Sequence, residues 1–222
     1  MVEGVLKRVA SKPPDIDEVL LEEFSQFVDA WLKANLTPLT ADTDVSFDHW
    51  LNTRSGYPEW RKEELRKINS SISGWEDTYA EVKMFMKDEC YTDWKYPRMI
   101  NARSDYAKCI FGPWVAAAEA VLFERAEFIK KVPHPMRPDN VVEALQMFKY
   151  VYASDFTTYE ASFVRRIMES CEFKFFRHMC QHIPGVAEFM ATFESTLGGW
   201  NKCVGKWVTL YILATRMSSV IS

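Results

Sequence analysis

The stretch YVYASDFTTYEASF, Tyr150 to Phe163, decides how this chain is read. Tyr150 to Ala153 is aromatic and β-branched, which predicts a short buried strand. Asp155 stands where that strand ends. Thr157 follows, with Glu160 three residues on, which is the S/T-x-x-E box that opens a helix. A carboxylate held at a strand end can bind a hard cation such as magnesium, which takes few protein oxygens and keeps phosphate or water oxygens. The same two residues also read as a turn aspartate and a capping glutamate.

The 222 residues carry 48% hydrophobic and 26% charged side chains, an ordinary globular composition with enough chain for a core. The net charge of -4 does not by itself predict a nucleic-acid binder, although a local basic channel can sit in an acidic protein. Five cysteines at irregular spacing, without a C-x-x-C, point to reduced thiols. His178, Cys180 and His182 lie close together, but no fourth ligand has zinc spacing, so they read as partly buried helix residues. The N-terminus has no apolar run of signal-peptide length, and Trp207 to Ala214 is too short to span a bilayer, so no transmembrane segment is expected.

Asp15 and Glu18 open a helix whose apolar residues, Ile16 to Leu32, share one face. Residues 35–56 read as a loop with a short helical piece. Pro58 suits the start of a helix from Glu59 to about Ile68 that carries Arg61, Lys62, Arg66 and Lys67. That helix presents either a solvated face or a basic surface for a polyanion. A helix is expected over Trp75 to Met86. Lys87 to Gly112 follows as an extended finger bearing Lys87, Lys95, Arg98, Arg103 and Lys108. It reads as a solvated basic hairpin or as a set of donors for phosphate oxygens. Alternation sets Arg98 on the face opposite Met99. Gly112-Pro113 is expected to break this stretch before a helix from Trp114 to about Lys130, and residues 131–139 form a proline-rich connector. Val141 to Phe148 reads as short and helical. After Glu160 a helix runs to about Ser170, and another carries Phe173 to Phe189 until Gly198-Gly199 ends it. Lys206 to Ser218 is expected as a strand or hairpin arm.

Two of these stretches, with a third behind them, resemble the RNA-dependent RNA polymerases of positive-strand RNA viruses, most closely the tombus-like and related groups. Those enzymes carry a basic finger loop, K-x-E…K-x-P-R-x-I-x-x-R, followed by a Gly. Here it reads Lys87-Asp88-Glu89, Lys95-Tyr96-Pro97-Arg98-Met99-Ile100, Arg103 and Gly112. Their palm strand ends in D-x4-D, which here is Asp155-x4-Glu160. Arg216-Met217-Ser218 matches the R-x-S opening of their next palm motif, but the Ser-Gly continuation does not follow. No Gly-Asp-Asp occurs in the 222 residues.

The resemblance implies an α/β, predominantly helical fold: the fingers plus a partial palm of a right-hand polymerase. Residues 1–148 would be the fingers, with the finger loop at 87–112. Residues 149–222 would be the partial palm, with the acidic motif at 150–163 and the start of the next motif at 216–218. It implies RNA-directed RNA synthesis from nucleoside triphosphates in viral genome replication, in a replication complex of the host cytoplasm. Asp155 would be the catalytic and metal-binding residue, with Mg2+ (or Mn2+) as cofactor. Lys87, Lys95, Arg98, Arg103 and Glu160 would bind the nucleotide, Glu160 at the ribose 2′-hydroxyl. Arg61 and Lys62 would touch RNA. The partners would be an RNA template, nucleoside triphosphates, and the missing palm and thumb, in the same or a second chain. The chain alone is expected to be inactive. Two geometric expectations follow: Tyr150–Ser154 pairs with Trp207–Arg216, and Arg98 and Arg103 face the same cleft as Asp155, within about 10 Å. A non-catalytic RNA-binding remnant and a helical interaction protein are the alternatives.

Overall fold

In Glu81-Val-Lys-Met-Phe-Met86, Val82 and Met84 are buried while Lys83 and Phe85 are exposed, which is the period of a strand. The structure, a computed structural model, describes residues 2–8, 12–13, 15–53, 55–73, 77–154 and 164–213. Within them lie helices α1 (Val2–Arg8), α2 (Glu18–Asn35), α3 (Phe47–Thr53) and α4 (Glu59–Ser71), then strands β1 (Glu81–Met86) and β2 (Met99–Arg103). There follow α5 (Asp105–Leu122), α6 (Arg137–Leu145), α7 (Arg165–Ser170), α8 (Glu172–Cys180) and α9 (Val186–Gly198), and a closing pair, β3 (Trp200–Gly205) and β4 (Thr209–Leu213). The chain is a mixed α/β fold and predominantly helical.

The four strands form one sheet in the order β2-β1-β3-β4. β1 is antiparallel to β2 and parallel to β3, and β3 is antiparallel to β4. Two strands therefore come from each side of the boundary expected near residue 148. One face of the sheet buries Val82, Met84, Met99, Cys203 and Ile212 against Val5 of α1. The larger core is helical. It joins Val28 and Leu32 of α2, Phe111 and Val115 of α5, Phe173 and Phe176 of α8, and Phe193 of α9. Trp50 and Leu51 of α3, Leu65 of α4 and Cys109 of α5 close a third cluster.

Local chemistry sets the helix starts. The Asp17 carboxylate accepts from the Val19 and Leu20 amides at 2.9 and 3.1 Å. The Ser104 hydroxyl accepts from the Ala107 amide at 3.3 Å and starts α5 directly after β2. Pro184 and Gly185, the latter at φ +85°, separate α8 from α9 where one helix was expected.

Five sequence expectations are corrected. Residues 77–86 are a short 3-10 turn followed by β1 rather than part of a helix, because Val82 and Met84 bury between β2 and β3. α5 begins at Asp105 and runs through Gly112-Pro113. Proline inside a helix costs one hydrogen bond, but Phe111, Pro113, Val115 and Ala117 are all buried on that helix, and their packing outweighs the loss. Tyr150–Ala153 is not a buried strand: it has no regular structure and Tyr152 is 91% exposed. The strand within 207–216, β4, pairs with β3 instead, an unexpected strand that lies just ahead of it. Finally, α2 buries Val28 and Leu32 but leaves Val19, Leu20, Phe24 and Phe27 exposed.

No helix among the described residues is long and apolar enough to cross a membrane. Cys90, Cys109, Cys180 and Cys203 are free thiols, and burial pushes those of Cys109 and Cys180 up to about 12. His178 Nε2 lies 2.8 Å from the Leu36 carbonyl oxygen.

Candidate nucleic-acid and nucleotide interface

Of the finger loop expected over 87–112, residues 87–98 connect β1 to β2, and the base of this connection is closed by Lys87 N–H donating to the Arg98 carbonyl at 2.8 Å, while the rest forms β2 and the start of α5. Glu89 sits at the centre of that base. It accepts from Arg98 Nε at 2.8 Å and from Arg98 Nη2, takes the Tyr91 hydroxyl at 2.6 Å, and pairs with Lys87 Nζ at 2.6 Å. Arg98 first, then Lys87 and Tyr91, hold the Glu89 carboxyl well below the usual carboxylate range, and Glu89 in turn raises Arg98. The two ends of K-x-E…K-x-P-R thus meet in one ion cluster. α1 supports the second end, because Gly4 comes so close to Pro97 that a Cβ there would lie 3.3 Å from the proline ring.

Beyond the cluster the loop tip is exposed. Trp94 is 76% exposed and meets Tyr96 edge-on with ring centroids 4.6 Å apart. Lys95 Nζ lies 6.0 Å from the Tyr91 ring centroid and has no carboxylate partner among the described residues. Between residues 87 and 98, three cations, Lys87, Lys95 and Arg98, face three carboxylates, Asp88, Glu89 and Asp93, so the β1–β2 connection is neutral as a whole.

Arg103 occupies a different environment. It ends β2 on the buried face and is 3% exposed. Nη1 donates to Asn201 Oδ1 of β3 at 2.5 Å and to the Tyr79 carbonyl at 3.4 Å. Nε and Nη2 meet no hydrogen-bond partner among the described residues. Burial lowers this guanidinium to about 10, opposed by the charges of Cys203 and Glu172. Arg98 lies on the exposed side of the hairpin, so the two arginines do not share a face.

Arg61 is held between Glu64 at 2.8 Å and Asp105 at 2.5 Å, and Lys62 pairs with Glu59 at 3.8 Å. Asp105, which also takes Lys108 at 3.0 Å, ties α4 to α5. Burial pushes the Asp105 carboxyl up, but the bonds from Arg61 and Lys108 outweigh it and hold the group below its ordinary value. The basic helix face is therefore largely matched by carboxylates.

Asp155, Glu160 and Arg216 to Ser218 lie outside the described residues. Among the described ones, no three His, Cys, Asp or Glu side chains gather as a metal site. A hollow of about 460 Å³ opens beside α2, α5 and α8, lined by Phe24, Phe27, Trp31, Leu122, Phe123 and Phe175. Its charged lining groups are the carboxylates Glu119 and Glu172, so it does not suit a polyphosphate.

Sequence reasoning missed β3 and with it Asn201, the partner of Arg103. The signal was the alternation of Trp200, Lys202 and Val204 with Asn201 and Cys203. Comparison with protein-family models, with curated proteins and with solved structures yields no match.

Proposed function

We propose that this chain is the fingers and first palm segment of an RNA-dependent RNA polymerase of a positive-strand RNA virus, working with a Gly-Asp-Asp palm and a thumb carried elsewhere. The observation that carries the reading is the meeting of Lys87, Glu89 and Arg98 at the base of the β1–β2 hairpin. Residues nine apart in a motif singled out for phosphate contact form one exposed cluster. The partners on this reading are an RNA template and nucleoside triphosphates in a replication complex of the host cytoplasm. Asp155 would hold magnesium or manganese, which stabilises the attacking and leaving oxygens of nucleotidyl transfer. Glu160 would meet the ribose 2′-hydroxyl.

The buried pairing of Arg103 refines the assignment. Arg103 ties β2 to β3 through Asn201, while Lys87, Lys95 and Arg98 neutralise the triphosphate. Arg61 and Lys62 reach RNA only in exchange for their carboxylate partners. Glu89 is then a competitor that a polyphosphate displaces. Glu89→Ala is expected to tighten binding of a fluorescent nucleoside triphosphate roughly fivefold at low salt, and Arg98→Ala to abolish it. Titration by fluorescence anisotropy over a salt series reads both. Indifference of the chain to triphosphate, with Glu89→Ala unchanged, sinks the reading and favours a helical interaction protein.

A further inference from the structure

One face of the sheet is buried under α1, and the other is open. Strand alternation puts Lys83 and Phe85 of β1, Trp200 and Lys202 of β3, and Tyr211 and Leu213 of β4 on the open face. Trp200, the first residue of β3, is 63% exposed and Tyr211, in the middle of β4, 65%, high exposure for large aromatic rings on paired strands. The register sets Trp200 opposite Leu213 and Lys202 opposite Tyr211, so the two rings are diagonal neighbours, about 7–8 Å apart at their backbones. Lys202 pairs with Glu81 at 3.4 Å. Lys83 has no carboxylate partner among the described residues, and Lys206 in the β3–β4 turn stacks over Trp207 at 4.8 Å. Two lysines against one glutamate, with Lys206 in the adjoining turn, leave this face cationic in a chain whose net charge is -4.

We propose that the open sheet face is a binding platform for single-stranded nucleic acid, with bases stacked on Trp200 and Tyr211 and phosphates held by Lys83 and Lys202. The chemistry selects this occupant. Bases offer a flat π-face to an aromatic ring, whatever the sequence, and the backbone brings the negative charge that the lysines lack. Four-stranded sheets with exposed rings hold two or three unstacked bases in this manner. A duplex keeps its bases stacked and cannot reach the rings. The positive charge argues against a basic or purely apolar protein surface as occupant, and an acidic protein surface would answer the lysines but offer the two rings no flat π-face to stack on. The platform goes beyond the polymerase proposal, since the aromatic residues on it belong to none of the motifs on which that proposal stands.

The test uses the full chain and a fluorescein-labelled oligouridylate, the matching DNA strand, and a duplex. Trp200→Ala and Tyr211→Ala should each weaken single-strand binding roughly five- to a hundredfold while leaving the salt slope unchanged. Trp200→Phe should retain most of the affinity. Lys83→Ala should reduce the slope of log affinity against log salt by about 0.7. RNA and DNA strands should bind alike, because stacking does not read the 2′-hydroxyl. Circular dichroism and thermal melting verify the fold. Should Trp200→Ala be unstable, Trp200→Leu keeps apolar cover but removes the ring, and it should weaken binding equally. Alanine variants that bind like the parent overturn the platform, as does a duplex that binds as tightly as the single strand. A dimer in sedimentation that Trp200→Ala dissociates, with oligonucleotide affinity unchanged, would assign the face to a second copy and overturn it too. Loss of oligonucleotide binding with triphosphate binding intact leaves the polymerase proposal standing, and the reverse result separates the two equally well.

Discussion

Phe193→Ala is expected to lower the stability of the fold by about 3–5 kcal/mol, a large share of the roughly 5–15 kcal/mol that holds a domain together. Phe193 is fully buried on α9, and four rings surround it. Its centroid lies 4.9 Å from Phe176, 5.2 Å from both Phe111 and Phe189, and 6.1 Å from Phe173. Three of these contacts are edge-on, a favoured arrangement that adds about 0.5–1.5 kcal/mol per pair beyond area burial. The phenylalanines come from α5, α8 and α9, so alanine opens a cavity where three helices converge. Urea unfolding measures the loss. Phe193→Leu, which refills most of the space, should cost clearly less. A loss below about 1 kcal/mol for alanine would mean that α9 is not packed as described.

Gly112→Val should cost at least about 3 kcal/mol, more than valine's weaker helix propensity can explain. A Cβ on Gly112 would lie 2.6 Å from Trp50 Cζ2 and 2.7 Å from Cε2, well inside contact distance. Trp50 cannot easily yield, because it is buried and its ring packs against Phe47 at 5.9 Å and Tyr57 at 6.3 Å. The glycine is there so that α3 can approach α5. In a Trp50→Leu background, the same valine should cost less than about 1 kcal/mol, a coupling that a double-mutant cycle reads directly. Additive costs would show that the close approach is not what Gly112 serves.

The same glycine shows where the sequence was legible and where it was not. Gly-Pro is strong local punctuation and reads as a break. The seven buried residues of α5 override it, and that burial comes from helices distant in sequence. Signals contained within one turn transferred well: Pro58 ahead of α4 and Gly198-Gly199 at the end of α9 mark real boundaries, and the acidic stretch ahead of α2 does so two residues late, with Asp17 rather than Asp15 as the cap. Signals that need a partner did not. Tyr150–Ala153 has strand composition but no strand beside it, whereas β1 looked helical until β2 and β3 flanked it. Pairing between residues more than a hundred apart, as in Glu81 with Lys202, leaves no local trace. For the candidate site, the motif placed Lys87, Glu89 and Arg98 in one string, and the hairpin brings them into contact. Charge pattern could not distinguish Arg98 from Arg103, because their fates differ by which side of a strand each occupies.

On the proposed reading, this chain supplies fingers and a first metal-binding carboxylate to an enzyme whose second carboxylate comes from a Gly-Asp-Asp palm. A two-metal site needs at least two such groups to hold ions about 3.5–4 Å apart. The measurement is incorporation of labelled nucleotide on a primed RNA template with magnesium or manganese, using this chain alone, a separately made Gly-Asp-Asp palm and thumb alone, and the two mixed. Incorporation should arise only on mixing, and Asp155→Ala should reduce it about a thousandfold or more. Robust incorporation by the 222 residues alone, or by the mixture carrying Asp155→Ala, would contradict the account.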